Sequence, residues 1–225
     1  MSREFEHRRI IPPPGITIPS HLIYRFFDHS ITFSPIGTGN DWLVARSSLF
    51  KLAGNYSMFL ATKRTLPRMT DFVYESWWFS MSPFNMVDIS TDWLTTNIDR
   101  RFTVGIEFGS NFISKTEAYM AGVFIESNTG RVFVSHSDGR TYLVETLGDI
   151  GHRRWVHVEM SVDLVEKRHK SVRVGSHLID TSRFGLSRHL GFWGSNWINL
   201  IVYNNADGVR GSAYFDNLIV KSSLA

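Results

Sequence analysis

Apolar and polar positions alternate with a period of two along most of this chain. The stretch WVHVEMSVDLVEKRHKSVRVGSHLID, Trp155 to Asp180, shows it most clearly. Val156, Val158, Met160, Val162 and Leu164 fall on one side of an extended backbone, and Trp155, His157, Glu159, Ser161 and Asp163 on the other. Successive side chains of a strand point to opposite faces, so the pattern predicts a half-buried strand over 155–164. Lys167 to Lys170 make a polar turn, and the chain returns through Val172 and Val174. Comparable runs occupy 22–33, 41–51, 55–63, 71–81, 101–108, 119–126, 131–136, 140–146, 171–175, 197–203 and 212–221. The turn signals GTGND, SNTG, SDG, LGDIG and NNADG separate them. Asn128-Thr129-Gly130 and Ser137-Asp138-Gly139 predict two successive hairpins, since glycine supplies the positive φ that tight turns need. A short turn or helix is expected only in FNMVDISTDWLTTNID, residues 84–99. The whole predicts an all-β domain over 21–225, built as a two-sheet antiparallel sandwich.

Residues 1–20 break the pattern. Pro12, Pro13, Pro14 and Pro19 exclude helix and central strand alike, while Ile10, Ile11, Ile16 and Ile18 make the segment apolar. An extended, Pro-rich arm is expected, with Ile10, Ile11, Pro12, Pro13, Pro14, Ile16 and Ile18 attaching the domain to a neighbouring subunit.

Composition narrows the function classes. The hydrophobic share of 43% and aromatic share of 14% are enough for a sizeable core. Formal net charge is +3, with Lys and Arg interspersed among Asp and Glu, so no nucleic-acid partner is expected. The chain has no Cys, which removes disulfides and thiolate metal sites. No apolar run is long enough for a membrane span, and MSREFEHRRIIPPPG lacks the apolar core of a signal peptide.

Several motifs, taken in order, resemble the concanavalin A-like lectin/glucanase superfamily, which includes laminin G-like modules. Trp155 opens an alternating strand followed by a polar turn and VRVGSHLIDTSRF; NLIVYNNADGVRGSAYFDNLIVKS is similar to the closing strand pair; LAGNYSMFLAT (52–62) resembles an early strand. The likeness covers about 22–221 and implies a jelly roll. That superfamily holds lectins, carbohydrate-binding modules, glycan hydrolases and lyases, adhesion modules and viral structural proteins, so the resemblance leaves function open.

Each chemistry can be weighed on residues. Glycoside hydrolysis needs two carboxyl groups at a set separation. The superfamily's glucanases carry Glu-x-Asp-x-x-Glu, and no such string occurs. Glu159 and Asp163 share a face, but their Cα atoms should stand about 13 Å apart, which fits a solvated strand face. The lyases' Gln-x-His motif is impossible without Gln, which the sequence lacks. No catalytic residue is assigned, and the chain is expected not to be an enzyme. For glycan binding the candidates are Trp77, Trp193, Asn196 and Trp197, where aromatic rings stand near an amide. Asp207 in NNADG and Asp216 in YFDN are the oxygen donors that a structural calcium would use.

The leading expectation is a structural or interaction protein of a phage virion, a capsid decoration or tail-associated subunit. In it the arm joins a larger assembly and the jelly roll faces outward. The location would be the virion, or else the cytoplasm. The alternative is a lectin-like protein or carbohydrate-binding module, and a glycan hydrolase or lyase comes third.

Overall fold

A computed structural model of the chain describes residues 22–25, 36–37, 43–62, 71–79, 85–96, 102–110, 116–150, 153–190, 196–204 and 211–223. In chain order its strands begin with β1 (Leu22–Arg25), β2 (Ile36–Gly37), β3 (Leu43–Ser47), β4 (Ser57–Ala61), β5 (Asp71–Phe79), β6 (Met86–Leu94), β7 (Phe102–Ser110) and β8 (Glu117–Glu126). They continue with β9 (Arg131–Ser135), β10 (Thr141–Thr146), β11 (Val156–Asp163), β12 (Arg168–Val174), β13 (His177–Asp180), β14 (Ser187–Leu190), β15 (Asn196–Asn204) and β16 (Ser212–Ser223). The predicted arm lies outside the described residues.

Two antiparallel sheets result. The first is ordered β13-β12-β11-β6-β16-β4-β3, with β1 also paired to β16. The second is ordered β10-β9-β8-β7-β15-β5-β2, with β14 also paired to β8. Neighbours such as β6 and β16, or β7 and β15, are remote in sequence, so the chain crosses repeatedly between sheets in the manner of a jelly roll. The tight hairpins fall where glycine predicts them, with Gly130 at φ +62° and Gly139 at φ +77°.

The core is the seam between the two inner faces. Val156, Val158, Met160, Val162 and Leu164 are all buried there, as their alternation requires. Facing them from the second sheet are Phe102, Val104, Ile106 and Phe108 of β7 and Ile198, Leu200 and Val202 of β15. Burying each such side chain contributes about 1.5–3 kcal/mol.

One element differs from expectation. The segment 84–99, for which the sequence predicts one short turn or helix, instead contributes strand β6, Met86–Leu94, to the centre of the first sheet. Val87, Ile89 and Trp93 point into the core, while Asp88, Ser90 and Asp92 pair on the outer face with Ser161, Glu159 and His157. The polar residues at every second position fit a central strand only because half-buried Ser161, Glu159 and His157 stand opposite them.

The YFDN motif closes the first sheet through a bulge. Asn217 and Leu218 together oppose the single Thr91, and Asn217 takes a positive φ of 51°. The extra residue lets both Phe215 and Leu218 face the core. Asp216 uses its carboxylate to accept the N–H groups of Leu52 (2.8 Å) and Ala53 (3.1 Å), which ties the loop before β4 to the sheet. Tyr214 packs against Phe50 and Phe59, with ring centroids 5.0 and 4.6 Å away.

His169 of β12 is fully buried, and burial pushes its imidazole pKa down to about 4. Its folded value lies below its unfolded one, so it is neutral in both states above about pH 6.5 and contributes nothing there. Between about pH 6.5 and 4 only the unfolded chain gains its proton, and stability falls. Denaturant titrations of the protein and of a His169→Leu variant should diverge over that window, the wild type losing about 3 kcal/mol that the variant keeps. Parallel pH profiles would refute the assignment.

Candidate functional site

The outer faces of the two sheets differ in kind. On the first sheet the outward residues are polar and bonded to one another. Ser161 Oγ donates to Asp88 Oδ1 (2.6 Å), His157 Nδ1 lies 3.1 Å from Asp92 Oδ1, and Asn217 Nδ2 donates to Asp92 Oδ2 (2.8 Å). Glu159 stands 3.8 Å from His157 Nε2. Asp163 accepts the N–H of Glu166 (2.9 Å) and lies 3.3 Å from Lys170 Nζ. Burial pushes the Asp163 carboxyl up, but these two partners outweigh it and hold it below the usual carboxylate range. Glu159 and Asp163 do not converge, and this face is a hydrogen-bonded strand surface.

On the second sheet the outward residues fall into rows that cross the strands. One row is polar. Asn199 of β15 pairs with Glu107 of β7, which pairs with Gly122 of β8. Ser135 Oγ of β9 lies beside Gly122, and Thr141 of β10 pairs with Ser135. Aromatic and glycine-containing rows flank it. On one side are Trp197 and Gly109; on the other are Ile201, Gly105, Phe124, Phe133 and Leu143.

The glycines are there for space. A Cβ at Gly109 would fall 2.0 Å from the Trp197 indole, and one at Gly105 would fall 2.6 Å from the Phe124 ring. Their absence lets both rings lie down against the sheet on either side of Glu107. Phe124 also meets the Tyr203 ring edge-on, centroids 5.9 Å apart.

Glu107 sits in the middle of this arrangement. Its Oε2 accepts a hydrogen bond from Asn199 Nδ2 at 3.0 Å. Burial raises its pKa, and the Asn199 bond offsets only part of that rise. Asn199 Oδ1 and Ser135 Oγ are buried and, among the described residues, have no hydrogen-bond partner. Buried polar atoms without partners are uncommon in folded proteins, and here two of them lie in the same row as a buried carboxyl.

The sequence candidates scatter. Trp197 lies on this face, buried against Gly109. Asn196 is fully buried one position earlier, on the side that Ile198 shares with the core, and both its amide atoms lack a hydrogen-bond partner among the described residues. Trp77 pairs in register with Ile198, and its neighbour Trp78 pairs with Trp197. Trp193 and Asp207 lie outside the described residues, and Asp216 organises the loop before β4. Glu107 is the residue that sequence reasoning missed. Its signal was present: in TVGIEFG, Thr103, Gly105, Glu107 and Gly109 alternate with Val104, Ile106 and Phe108. A strand with one buried face and glycines around a lone carboxylate on the other marks a shaped surface.

Solved structures sharing this architecture are distant in sequence. A Trichoderma reesei endo-β-1,4-glucuronan lyase matches with a TM-score of 0.59 at 7% identity, over 91% of this chain and 95% of its own. A cellulose-induced protein, Cip1, matches with a TM-score of 0.55 at 11% identity, over 86% and 92%. A Bacillus licheniformis β-glucanase matches with a TM-score of 0.52 at 12% identity, over 91% and 99%. No protein-family model and no curated protein sequence matches. The fold is therefore the concanavalin A-like jelly roll that the sequence resembles.

Two expectations change. The exclusion of catalysis does not stand, because a glucuronan lyase and a β-glucanase share this fold along nearly their full lengths. Glu159 and Asp163, the carboxylates that the sequence places on one face, belong to the first sheet, whereas the carboxyl with a raised pKa is Glu107 of the second. The virion reading gains no support from any of these likenesses.

Glu107 has a folded pKa above the ordinary 4.5, so as pH rises past 4.5 the folded state holds a proton that the unfolded state releases, and stability drops. A Glu107→Gln variant keeps an acceptor for Asn199 and has no such proton. It should therefore be more stable than the wild type at pH 7 and lose that advantage near pH 4, measured by chemical denaturation. An advantage that is equal at both pH values, or absent from both, would contradict the buried carboxyl.

Proposed function

We propose that this protein binds a glycan on the outer face of its second sheet. The observation that carries the reading is the polar row of Asn199, Glu107 and Ser135 lying between rows of aromatic rings and glycines. Sugar rings offer apolar C–H faces to aromatic side chains and hydroxyls to amides, carboxyls and other hydroxyls, and both kinds of partner alternate here at strand spacing. Support of a second kind comes from the fold, since the glucuronan lyase and the β-glucanase that share it are named for glycans.

Affinity electrophoresis through gels containing soluble polysaccharides tests this. The protein should be retarded, and Trp197→Ala or Glu107→Ala should weaken retardation by about tenfold, the equivalent of about 1.4 kcal/mol. Glu159→Ala, on the opposite sheet, should bind as the wild type does. Binding that depends on Glu159 and ignores Glu107 would move the site to the other face and end this reading.

A second reading is that the bound glycan is also cleaved. It is favoured by Glu107, because a carboxyl with a raised pKa keeps its proton to higher pH and can donate it to a glycosidic oxygen. Release of new sugar ends from a bound polysaccharide, abolished in Glu107→Gln while binding persists, is the expected result. Release that survives the substitution would remove Glu107 from that role.

A further inference from the structure

We infer that the loop between β3 and β4 is a lipid-binding element, which inserts Leu49, Phe50 and Leu52 into the interface of a bilayer that carries anionic headgroups. The element is separate from the glycan face and does not depend on it.

Nine large apolar side chains stand exposed among the described residues, and four of them, Leu49, Phe50, Leu52 and Tyr56, fall within eight consecutive positions. Leu49 is 78% exposed, Leu52 48% and Phe50 41%. Exposed apolar residues scattered singly need no explanation, whereas several gathered in one loop mark a place of contact.

The loop is held in shape. Asp216 Oδ2 accepts the N–H groups of Leu52 (2.8 Å) and Ala53 (3.1 Å), and Ser57 Oγ donates to the carbonyl of Phe50. The Leu49 N–H donates to Ser47 Oγ at 3.2 Å, and Gly54 turns the chain at φ +63°. The Phe50 ring meets Tyr214 edge-on, centroids 5.0 Å apart. With the backbone already fixed, binding through these side chains carries little ordering cost. Tyr214 and Asp216 flank the core residue Phe215 on β16, so both face out of the first sheet, and the loop fastened to them lies on that side. The glycan surface proposed above is the outer face of the other sheet.

Lys51 selects the partner. It is exposed in the middle of the apolar run, between Phe50 and Leu52. A dry protein pocket that accepted those two side chains would have to desolvate the ammonium between them, at high cost. A bilayer interface offers both chemistries in layers. The acyl boundary takes the leucines and the phenylalanine, and the phosphates and carboxylates of the headgroups meet the ammonium, which reaches them along its flexible stem. Tyr56, 37% exposed, has the apolar body and polar tip that suit the headgroup level. The formal net charge of +3 adds attraction toward an anionic surface.

The test is co-sedimentation of the full chain with vesicles of phosphatidylcholine alone and of phosphatidylcholine mixed with phosphatidylserine. Wild type, the double substitution Leu49→Ser with Leu52→Ser, and Lys51→Glu are compared, each first shown to be folded by thermal melting. The expected result is binding that is stronger on the mixed vesicles, weakened at least about tenfold by the two serines, and shifted toward equal binding of both vesicles by Lys51→Glu. If the serine variant does not fold, Leu49→Trp serves instead, and its emission should move to the blue on adding mixed vesicles. Failure of the wild type to bind either vesicle overturns the inference, as does binding that ignores the leucines or an emission that stays where it was. A molecular mass that shows self-association, lost in the serine variant and accompanied by no vesicle binding, also overturns it and assigns the loop to a second copy of the chain.

Discussion

Each sheet of this protein has two faces, and only one of each can be hidden against the other sheet. Burial of the inner faces is the interaction on which the rest depends. It is supplied by long runs of Val, Ile, Leu, Phe and Met at alternate positions, of which Met160, Val162, Phe102 and Leu200 are fully enclosed. A seam of that kind holds the fold without help from the outer faces. Those faces are thereby released to differ, and they do.

The first sheet spends its outer face on ordinary solvation. Asp88, Asp92, His157 and Ser161 bond to one another across β6 and β11, and the carboxylates that most resembled a catalytic pair in the sequence are occupied with a neighbouring His and a turn. The second sheet does the opposite. It places an acid between rows of aromatic rings, leaves polar atoms beside it without partners among the described residues, and accepts the loss of stability that a buried carboxyl brings. Comparable costs fall elsewhere too, since among the described residues Trp93, His169, Thr181 and Asn196 also bury polar atoms without partners; what sets this spot apart is the buried carboxyl that stands beside its unpartnered atoms.

The two bulk features of that surface depend on each other. Trp197 and Phe124 could not lie where they do if Gly109 and Gly105 carried a Cβ. The glycines and the rings on either side of Glu107 are therefore fixed together. The distant likenesses to a glucuronan lyase and a β-glucanase bear on the frame that holds this construction and leave its particular residues to be argued from this chain.

Much of the fold was legible in the sequence, because strand alternation is local: Val156 to Leu164 must share a face whatever surrounds them, and glycine at 130 and 139 must turn the chain. Strand β6 was not legible, since Asp88, Ser90 and Asp92 look unlike a central strand until Ser161, Glu159 and His157 stand beside them. The YFDN motif was recognisable as a sign of the closing strand, but the bulge that turns Asp216 toward the loop before β4 is set by pairing with Thr91 and Asp92. The candidate site was least legible of all. Trp197 was visible as a ring, yet Glu107, Asn199, Gly109 and Ser135 come from strands scattered between residues 102 and 204. Local chemistry decides which side of its own strand a residue occupies. Which strands lie next to one another, and so which side chains meet, is decided by closing the two sheets over a shared core, and that information exists only in the tertiary structure.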